Sequence, residues 1–378
     1  MPKKLLHIQL LPLLSGVQNF SLHLLSALPA SEYEIYVASQ PGGELVSAVK
    51  NAGYHYVPMR FMKRNINPWD VIAFLDLIRI IKTHHIDIVH TNSSKPGLFG
   101  RLAAWICNVP LIVHTAHGTA FHYGQSPIVY RCYELSELFG NRFCHKTVFV
   151  NNSGREYCIE HGLIAEQKAV TIYNAINPVL QQSLETIAVQ RSFFADGMIT
   201  IGSLLRFSDP KNIITIVNVA CHVCRLKPNL RFILVGDGEH LELCRTIVHS
   251  FGLNQRIILP GWDSNPEPWL AKFDLFILYS LWEALPMSII EAMFAGLPVI
   301  GSDVPGICEL VDDSTGYIVP KADPALLTET LIYIADHADE IPAKSLRARA
   351  AIAAKCSFPE MIRAYTDIYA NVEEVLLS

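Results

Sequence analysis

The chain of 378 residues has no apolar run long enough to cross a membrane. A spanning helix needs about 20 apolar residues in succession, and no stretch reaches roughly 18 without a charge. Residues 1–12 carry two lysines and an apolar run, but His7, Gln9 and Pro12 interrupt it. No small-residue cleavage site follows, so we expect a first buried β-strand here instead of a signal peptide. Any membrane contact is then expected to be peripheral.

Patterns typical of metal sites and disulfide frameworks are also missing. No Asp-x-Asp pair occurs, and no His/Asp/Glu cluster has metal-ligand spacing. The nine cysteines are odd in number and scattered. Cys221 and Cys224 form the one close pair, but they lie in an apolar helical pattern over Ile213–Leu226, with no second pair to complete a zinc site. We therefore expect no metal and a reduced chain in the cytoplasm.

Charged residues are few, at 17%, against 51% hydrophobic residues, which predicts large buried cores and excludes extensive disorder. The net charge of −5 is unevenly spread. Met1 to Pro178 holds 15 Lys/Arg against 11 Asp/Glu, whereas the remainder holds 15 against 24. The basic first half is compatible with ordinary surface variation, or with an anionic partner such as a phospholipid surface or a diphosphate-bearing acceptor. We expect no nucleic-acid partner.

Short apolar strands alternate with helical patterns, which predicts right-handed βαβ units and mostly parallel sheets in two α/β domains. Asn174–Pro178 breaks the first series, and a polar helix to Arg191 precedes the second. A closing amphipathic helix spans Cys356–Tyr369, and its composition allows it to cap either domain. Strands are expected at Lys4–Leu11, Tyr33–Ala38, Ile86–His90, Leu111–Thr115, Thr147–Val150, Ala169–Tyr173, Met198–Leu204, Arg231–Val235, Arg256–Leu259, Leu275–Leu278, Pro298–Ser302 and Gly316–Val319. Helices in the first half are expected at Gln18–Leu28, Gly43–Asn51, Pro68–Thr83, Lys95–Ile106 and Pro127–Phe139.

Two glutamates, Glu283 and Glu291, follow the apolar strand Leu275–Leu278. Pro286 between them suits the first turn of a helix. Glu283 is therefore expected in a loop at the carboxyl end of a parallel strand, and Glu291 one to two turns into the next helix. Open α/β sheets bind ligands at that edge. Two carboxylates beside free helix N–H groups suit a nucleotide sugar, which offers hydroxyls and phosphates. Two glutamates at this spacing, taken alone, are equally compatible with solvated residues that flank an amphipathic helix.

The neighbouring residues resemble the signature of the family 4 retaining glycosyltransferases, the E-x7-E group with the GT-B fold. The match comprises Ser280, the Glu-Ala-Leu-Pro turn at 283–286, Glu291-Ala-Met, Gly296-Leu-Pro-Val, Gly306 and Glu309. The stretches 87–104 and 113–118 look like the subset that builds bacterial surface polysaccharides, O-antigen or capsule. The resemblance covers nearly the whole chain.

This resemblance implies an α/β GT-B fold, in which two Rossmann-like, doubly wound domains face each other across a cleft. Residues 1–177 would form the N-terminal, acceptor-side domain. Residues 178–356 would form the domain that binds the nucleotide sugar. A C-terminal helix within 357–378 would cross back to the first domain.

Glycosyl transfer from a nucleotide sugar leaves negative charge on the departing diphosphate, so the protein must offer fixed positive charge. Arg206 and Lys211 follow the first strand of the second domain and open its first helix. Their setting resembles the family's Arg…Lys phosphate clamp. Arg can grip phosphate through two parallel hydrogen bonds, whereas Lys acts as a point charge. We expect both to be catalytic, although two solvated loop cations would look the same in isolation.

The resemblance also implies roles for residues 283–291. Glu283 would contact hydroxyls of the transferred sugar, and Glu291 would hold the ribose hydroxyls. The helix beginning near Pro286 would add free N–H groups and the positive end of its dipole. Backbone N–H groups around three residues would contact the donor: Leu285, Met287 and Ser288.

Glycine-containing turns are expected near the nucleotide in both domains. Gly16, in the first strand-to-helix link, would let the backbone approach a diphosphate, but the family usually has two adjacent glycines where this chain has Ser15 and Gly16. Gly236–Glu239 resembles the family's turn below the nucleotide pocket, with a role in turn geometry. Leu259–Trp262 occupies the place of the family's base-binding segment. Its residues depart from the commonest ones there, so they do not determine which nucleotide base is bound.

The first domain is expected to contribute His117, just past a strand, which matches the family's histidine near the donor sugar. His114 and His90 are predicted to be structural. Ser94 and Lys95 open a helix on the same rim and are candidates for acceptor contact.

A basic-aromatic stretch, Met59–Arg64 followed by Trp69, fits either a membrane-interface contact or an ordinary exposed loop.

We therefore expect a metal-independent, retaining glycosyltransferase without a cofactor, with a UDP-sugar favoured over a GDP-sugar. The acceptor would be a glycan, carried on a polyprenyl diphosphate. The enzyme would be cytoplasmic, either free or at the cytoplasmic face of the inner membrane in contact with anionic lipid. Two alternatives remain at this point. A nucleotide-sugar epimerase would use the same phosphate clamp without an acceptor, and a non-catalytic descendant would only bind partners.

Overall fold

The computed structural model describes residues 2–14, 16–63, 67–118 and 126–370, and these divide into two compact units. Unit 1 consists of the residues up to Asn174 together with those from Phe358, and unit 2 is Ala175–Ser357. Each unit is a parallel sheet with its strands connected by helices, so the predicted class of two Rossmann-like domains is confirmed.

The sheet of unit 1 has seven parallel strands in the order β3-β2-β1-β4-β5-β6-β7. The order reverses between β1 and β4, and ligands of open sheets bind beside such a switch point, at the carboxyl ends of the strands. Edge strand β3 was not predicted, because only Val57 of its four residues is buried and no apolar run marks it. The strands are β1 (Lys3–Ile8), β2 (Tyr33–Ser39), β3 (His55–Pro58), β4 (Ile88–Asn92), β5 (Leu111–Ala116), β6 (Lys146–Phe149) and β7 (Ala169–Thr171).

The helices of unit 1 match the predicted ones, with one addition and shifted ends. The mainly polar α6 was not predicted, because its nine residues bury only Cys158. The closing helix begins at Phe358 instead of Cys356 and belongs to unit 1, where Tyr365 and Tyr369 are fully buried. The helices are α1 (Gly16–Ser26), α2 (Glu44–Asn51), α3 (Asp70–His84), α4 (Ser94–Ile106), α5 (Pro127–Arg142), α6 (Asn152–Glu160) and, from the end of the chain, α15 (Phe358–Ala370).

The sheet of unit 2 has six parallel strands in the order β10-β9-β8-β11-β12-β13. Its switch point lies between β8 and β11. Central strand β11 is buried at all four positions, as expected for a strand covered on both faces. The strands are β8 (Ile199–Leu204), β9 (Leu230–Val235), β10 (Ile257–Gly261), β11 (Leu275–Leu278), β12 (Val299–Ser302) and β13 (Gly316–Val319).

Helices connect and cover the strands of unit 2. The helix predicted over Ile213–Leu226 has those bounds, and Cys221 and Cys224 are buried in it, which supports a packing role for both thiols. Asn177 begins the first helix by accepting a hydrogen bond from the Leu180 N–H at 2.8 Å. The helices are α7 (Pro178–Gln190), α8 (Ile213–Leu226), α9 (Leu241–Ser250), α10 (Glu267–Leu270), α11 (Met287–Phe294), α12 (Pro305–Cys308), α13 (Pro324–Asp336) and α14 (Ile341–Lys355).

Across the described parts of both units, none of the helices combines the length and the apolar character that a bilayer span requires.

Candidate active site

The loop after β8 carries the two cations that the sequence singles out. Arg206 lies two residues beyond the strand, and Lys211 ends a short 3₁₀ turn, Asp209–Lys211, just before α8. The Arg206 side chain is 69% exposed and makes a 3.4 Å ion pair with Glu239. Exposed ion pairs contribute little to stability, so this guanidinium is available to an incoming anion.

The turn after β9 supports the Arg206 loop from below. Gly236 has φ +147° and Gly238 has φ +154°, and side chains on them would meet the carbonyl oxygens of Leu205 and Phe207 at 1.8 and 2.4 Å. Phe207 N–H in turn donates to the Asp237 carbonyl at 2.9 Å. The close approach requires glycine at both positions, which supports the predicted role in turn geometry.

Lys211 and Glu283 form a close ion pair that joins the two loops. The Glu283 side chain is only 10% exposed, and its Oε1 also accepts a hydrogen bond from Ser280 Oγ at 2.7 Å. Leu281 N–H donates to the Pro210 carbonyl at 2.9 Å, which fixes one loop against the other. The first glutamate of the E-x7-E pair is therefore held beside a cation at the carboxyl ends of β8 and β11.

Gly306, in α12, packs closely against the loop that carries Glu283. A side chain at this position would lie 2.1 Å from the Ala284 carbonyl oxygen and 2.7 Å from that of Glu283. The start of α12 can approach the loop only because residue 306 has no Cβ. Gly306 is thus a packing requirement of the site, and it needs no contact with a ligand to be essential.

Helix α11 begins directly after Pro286, and Glu291 lies in its second turn, as predicted. The first turn of a helix leaves backbone N–H groups without intrahelical partners, and here those groups belong to Met287 and Ser288, next to the buried Leu285. Burial raises the pKa of the half-buried Glu291 carboxyl to about 7, so both protonation states are accessible near neutral pH.

A cleft of about 370 Å³ opens beside Arg206 in unit 2. Leu205, Arg206, Asp237, Gly238 and Trp262 line it. The volume falls in the range of small-molecule sites. Trp262 follows β10 and is 75% exposed, so an aromatic surface is available beside the guanidinium.

In unit 1, a chain of hydrogen bonds fixes His117, which lies one residue past β5. His117 Nε2 lies 2.8 Å from Asn92 Oδ1, and the Asn92 amide nitrogen lies 2.9 Å from His7 Nε2. The Gln9 amide nitrogen lies 3.1 Å from the same atom of His7. Burial lowers the pKa of both imidazoles to about 3, so both are neutral.

These contacts assign a tautomer to His117. Since two amide N–H groups converge on His7 Nε2, that nitrogen is the acceptor, and Asn92 turns its oxygen toward His117. His117 therefore carries its proton on Nε2, and its Nδ1 remains a hydrogen-bond acceptor. The sequence did not single out Asn92, although its position at the end of β4 next to the switch point was the available signal.

His90 and His114 have the structural roles that were predicted. His90 is fully buried, with Nδ1 2.5 Å from the Tyr369 hydroxyl and Nε2 2.8 Å from Thr115 Oγ1. His114 Nδ1 lies 2.9 Å from Thr91 Oγ1. Burial lowers the pKa of both imidazoles, which are thus neutral core groups.

The remaining predicted residues of unit 1 lie at helix starts. Gly16 is the first residue of α1 instead of a loop residue, and Ser94 is the first residue of α4. Lys95 forms a 2.6 Å ion pair with Asp70 and donates to the Lys63 carbonyl at 2.8 Å. These contacts give Lys95 a structural task, tying α4 to the start of α3.

Within the described ranges, no group of three or more His, Cys, Asp and Glu side chains is placed so that it could hold a metal ion.

Two family models match the chain. One, described as Glycosyltransferase Family 4, covers residues 14–180, and the other, Glycosyl transferases group 1, covers residues 196–337. An Escherichia coli protein, UDP-Gal:alpha-D-GlcNAc-diphosphoundecaprenol alpha-1,3-galactosyltransferase, is 30% identical over 347 residues, 88% of each chain. The Campylobacter jejuni N,N'-diacetylbacillosaminyl-diphospho-undecaprenol alpha-1,3-N-acetylgalactosaminyltransferase is 23% identical over 314 residues, covering 79% of this chain and 81% of that one.

Solved structures show the same architecture. The Anabaena protein Alr3699/HepE in complex with UDP and glucose superposes with a TM-score of 0.80 at 16% identity, over 98% of this chain and 100% of that one. The lipopolysaccharide outer core galactosyltransferase WaaB, in its apo form, superposes with a TM-score of 0.74 at 16% identity, over 97% and 99%. The likeness establishes the GT-B fold that the sequence predicted.

Proposed function

The chain belongs to glycosyltransferase family 4, and on that premise we propose that it moves a hexose from a UDP-sugar to a glycan carried on a polyprenyl diphosphate. The anomeric configuration would be retained, and no metal would be needed. The proposal is supported by the names of the Escherichia coli and Campylobacter jejuni relatives, both of which act on diphosphoundecaprenol-linked sugars. The UDP-containing Anabaena structure favours uridine over guanosine in the donor.

One observation carries this proposal: Arg206, Lys211 and the start of α11 lie at the same edge of one sheet as Glu283. When the bond between the anomeric carbon and the diphosphate breaks, negative charge grows on the leaving oxygen. The two cations and the free N–H groups would supply the compensating charge. A metal ion would be redundant in this arrangement.

The donor would lie along this edge with its parts in a fixed order. Glu283, oriented by Lys211 and Ser280, would accept hydrogen bonds from hydroxyls of the transferred sugar. Glu291 would hold the ribose hydroxyls, and the backbone N–H groups around Leu285, Met287 and Ser288 would contact the phosphates. The uracil would enter the cleft beside Trp262.

Retention would follow from attack on the same face that the diphosphate leaves. The acceptor oxygen forms its bond to the anomeric carbon as the bond to the diphosphate oxygen breaks. That departing oxygen takes the acceptor proton. Glu283 is a poor nucleophile for a double displacement, because Lys211 and Ser280 already bind its carboxylate.

At the donor sugar, unit 1 would contribute hydrogen bonds instead of charge. The neutral His117, with Nδ1 as an acceptor, would receive a hydrogen bond from a donor-sugar hydroxyl. Gly16 would approach the diphosphate at the start of α1, and Ser94, together with Lys95, would face the acceptor. The reaction would take place at the cytoplasmic face of the inner membrane, in surface-polysaccharide assembly.

The test is incubation with radiolabelled UDP-galactose and other nucleotide sugars, with and without a GlcNAc-diphosphoundecaprenol acceptor. We expect a lipid-linked product only when acceptor is present, with an α-linkage by NMR and an unchanged rate in EDTA. Turnover without acceptor would identify an epimerase instead. A β-linkage, or a rate abolished by chelation, would contradict the retaining or the metal-independent part of the proposal.

A further inference from the structure

The turn that follows β9 in unit 2 places two carboxylates beside the cleft that Arg206 lines. Glu239 Oε2 lies 3.4 Å from Arg206 Nη2, and Asp237 lines the same cleft as Arg206. Both acidic side chains are exposed, so an anion that enters the cleft meets their charge as well as that of the guanidinium. Here "the acidic turn" means Asp237–Glu239.

Backbone contacts fix the acidic turn against the loop that follows β8. Phe207 N–H donates to the Asp237 carbonyl at 2.9 Å, and His240 N–H donates to the Phe207 carbonyl at 3.1 Å. These bonds lie on both sides of Glu239 in the chain. The His240 side chain adds a third contact, with Nε2 2.6 Å from Asp209 Oδ1 in the same loop. We therefore expect the carboxylates to stay near the guanidinium when a ligand is bound.

Among the charged side chains around the two cations, carboxylates are in the majority. Arg206 and Lys211 supply two positive charges. Glu283, which is paired with Lys211, and the two carboxylates of the acidic turn supply three negative charges, so the formal balance of these five side chains is −1. Short, charge-assisted hydrogen bonds to the two cations can still hold a diphosphate. Beyond those contacts, each further negative charge on the ligand is repelled.

The donor and the product of sugar transfer differ in charge. In a nucleotide sugar the outer phosphate is esterified, so it has no second proton to lose. Transfer breaks the bond between the anomeric carbon and the phosphate oxygen, and the electron pair stays on that oxygen, which takes the acceptor proton. The freed phosphate group has a second pKa of about 6 and releases that proton at neutral pH. The nucleoside diphosphate therefore carries about one more negative charge than the donor.

We propose that the acidic turn promotes product release, because Asp237 and Glu239 weaken the binding of a nucleoside diphosphate more than that of a nucleotide sugar. The inference rests on the proposed function, in which Arg206 binds the diphosphate. The bond to Glu239 uses one of the five guanidinium N–H donors, so Arg206 can bind phosphate with the others. Carboxylate and phosphate then share one guanidinium and lie within a Debye length of each other, where salt screens their repulsion only in part.

Calorimetric titration of the full chain tests the proposal with three ligands and no acceptor. These are UDP, UDP-galactose and the β-methyl ester of UDP, which has the charge of the donor without its sugar. Asp237→Asn with Glu239→Gln should tighten UDP binding about twentyfold and binding of the methyl ester about sevenfold. UDP-galactose should follow the methyl ester, so this variant loses about a threefold discrimination against the product. Asn can still accept the Gly238 N–H that Asp237 Oδ1 accepts at 2.7 Å, so the turn should keep its shape.

A matched variant removes the same amount of charge elsewhere in unit 2. Asp196→Asn with Asp336→Asn takes two carboxylates from ion pairs with Arg231 and Lys227, near the edge of the sheet where β8 and β9 begin. It should leave all three affinities unchanged. High salt separates a charge effect from a structural one. In about 1 M NaCl the Debye length is about 3 Å, so the acidic-turn variant and the parent chain should bind UDP alike.

The outcomes separate this inference from the proposed function. Failure of the parent chain to bind UDP would contradict the proposed function and, with it, the inference. UDP binding by the parent chain, with equal or weaker binding by the acidic-turn variant, would overturn the inference alone, since the carboxylates would then support Arg206 instead of repelling the product. Equal tightening for UDP and the methyl ester, or tightening that persists at high salt, would overturn it as well.

Discussion

The two sheets carry different kinds of polar side chains at the carboxyl ends of their strands. In unit 1 a hydrogen-bonded network of neutral side chains runs from His7 through Asn92 to His117. In unit 2 they are ionic, with Lys211 paired to Glu283 and an exposed Arg206 nearby. Both edges belong to sheets of the same type, so the fold does not dictate this difference.

The difference shows how the proposed reaction divides its electrostatic tasks. Charge that develops on a leaving diphosphate requires fixed cations and N–H groups, and unit 2 offers them. Orienting uncharged hydroxyls requires acceptors whose protonation does not change, and burial provides these in unit 1 by keeping the imidazoles neutral. Substitutions in the two units should therefore fail in different ways.

The largest effect is expected from removing the cations of unit 2. Arg206→Ala and Lys211→Ala should each lower kcat/KM on the order of 10²-fold or more, because each removes a group aimed at the developing charge. Steady-state kinetics with a radiolabelled UDP-sugar measures this. Lys227→Ala, which removes another ion-paired lysine of unit 2, is the matched control and should leave the rate near wild type. Wild-type turnover in the Arg206/Lys211 double variant would refute the ionic role of unit 2.

A second effect should separate the stabilities of the units. His7 and His117 have folded pKa values of about 3 against 6.5 in the unfolded chain, so the unfolded state takes up protons first on acidification. The folded state therefore loses stability as the pH falls below 6.5. Each residue should cost about 2 kcal/mol between pH 7 and pH 5. Hydrogen exchange of the intact chain should show β1, β4 and β5 opening before the strands of unit 2.

His7→Gln tests the cause of this acid sensitivity. The variant lacks one buried titrating group, so its stability should change less between pH 7 and pH 5, whatever its absolute value. His249→Gln alters an exposed histidine on α9 and should leave the pH dependence as it is in the parent chain. Equal acid sensitivity in all three proteins would contradict the assignment to buried imidazoles.

A smaller, more specific effect should follow from Asn92→Asp. A carboxylate beside His117 Nε2 favours the protonated imidazole and thus raises its pKa, which removes the Nδ1 acceptor at lower pH. We expect kcat/KM to fall about tenfold at pH 6 and to recover at higher pH. In the parent chain kcat/KM should show no such rise above pH 6, because its His117 is already neutral at that pH. Asn92→Leu, which introduces no charge, separates the protonation effect from a loss of positioning, since its deficit should not depend on pH.

The sequence predicted the elements of unit 2 and the placement of its candidate residues more completely than it predicted the contacts between them. Parallel strands bring their following loops to one edge, so Arg206, Lys211 and Glu283 could be placed there from strand order alone. The ion pair between Lys211 and Glu283 spans 72 residues of sequence and depends on how two loops pack, which no local pattern encodes. The same holds for the contact between Asn92 and His117.

Two other features were hidden because they contradict the usual pattern. Strand β3 lacks an apolar run, since it lies at the edge of its sheet and buries little. Helix α5 was predicted as a helix, without a prediction of the face that it buries. The fully buried Arg101 makes an ion pair with Glu137 and a hydrogen bond with Asn141, so polar side chains of α5 point inward while Ile128 and Phe139 are exposed. Periodicity identifies the helix, but it cannot show which stripe faces the sheet when a buried charge competes with apolar burial.

The smallest effect, and the counterpart of the acid sensitivity of unit 1, concerns Glu291. Its pKa of about 7 in the folded chain lies above the unfolded value of 4.5, so the folded state favours the protonated carboxyl. Stability is therefore lost as the pH rises from 4.5 through 7. Glu291→Gln should raise the free energy of unfolding by about 1 kcal/mol at pH 8 and little at pH 5, because partial exposure reduces the full linkage value.

The same substitution should weaken UDP binding, since Gln cannot replace a carboxylate as an acceptor of two ribose hydroxyls. Denaturant unfolding at both pH values and calorimetric titration with UDP measure the two consequences. Glu329→Gln, an exposed change on α13, is the control and should alter neither. Stabilisation combined with weaker binding would show that the ligand, not the fold, requires an ionisable group at position 291. A variant that binds UDP as tightly as the parent chain would remove Glu291 from the donor site.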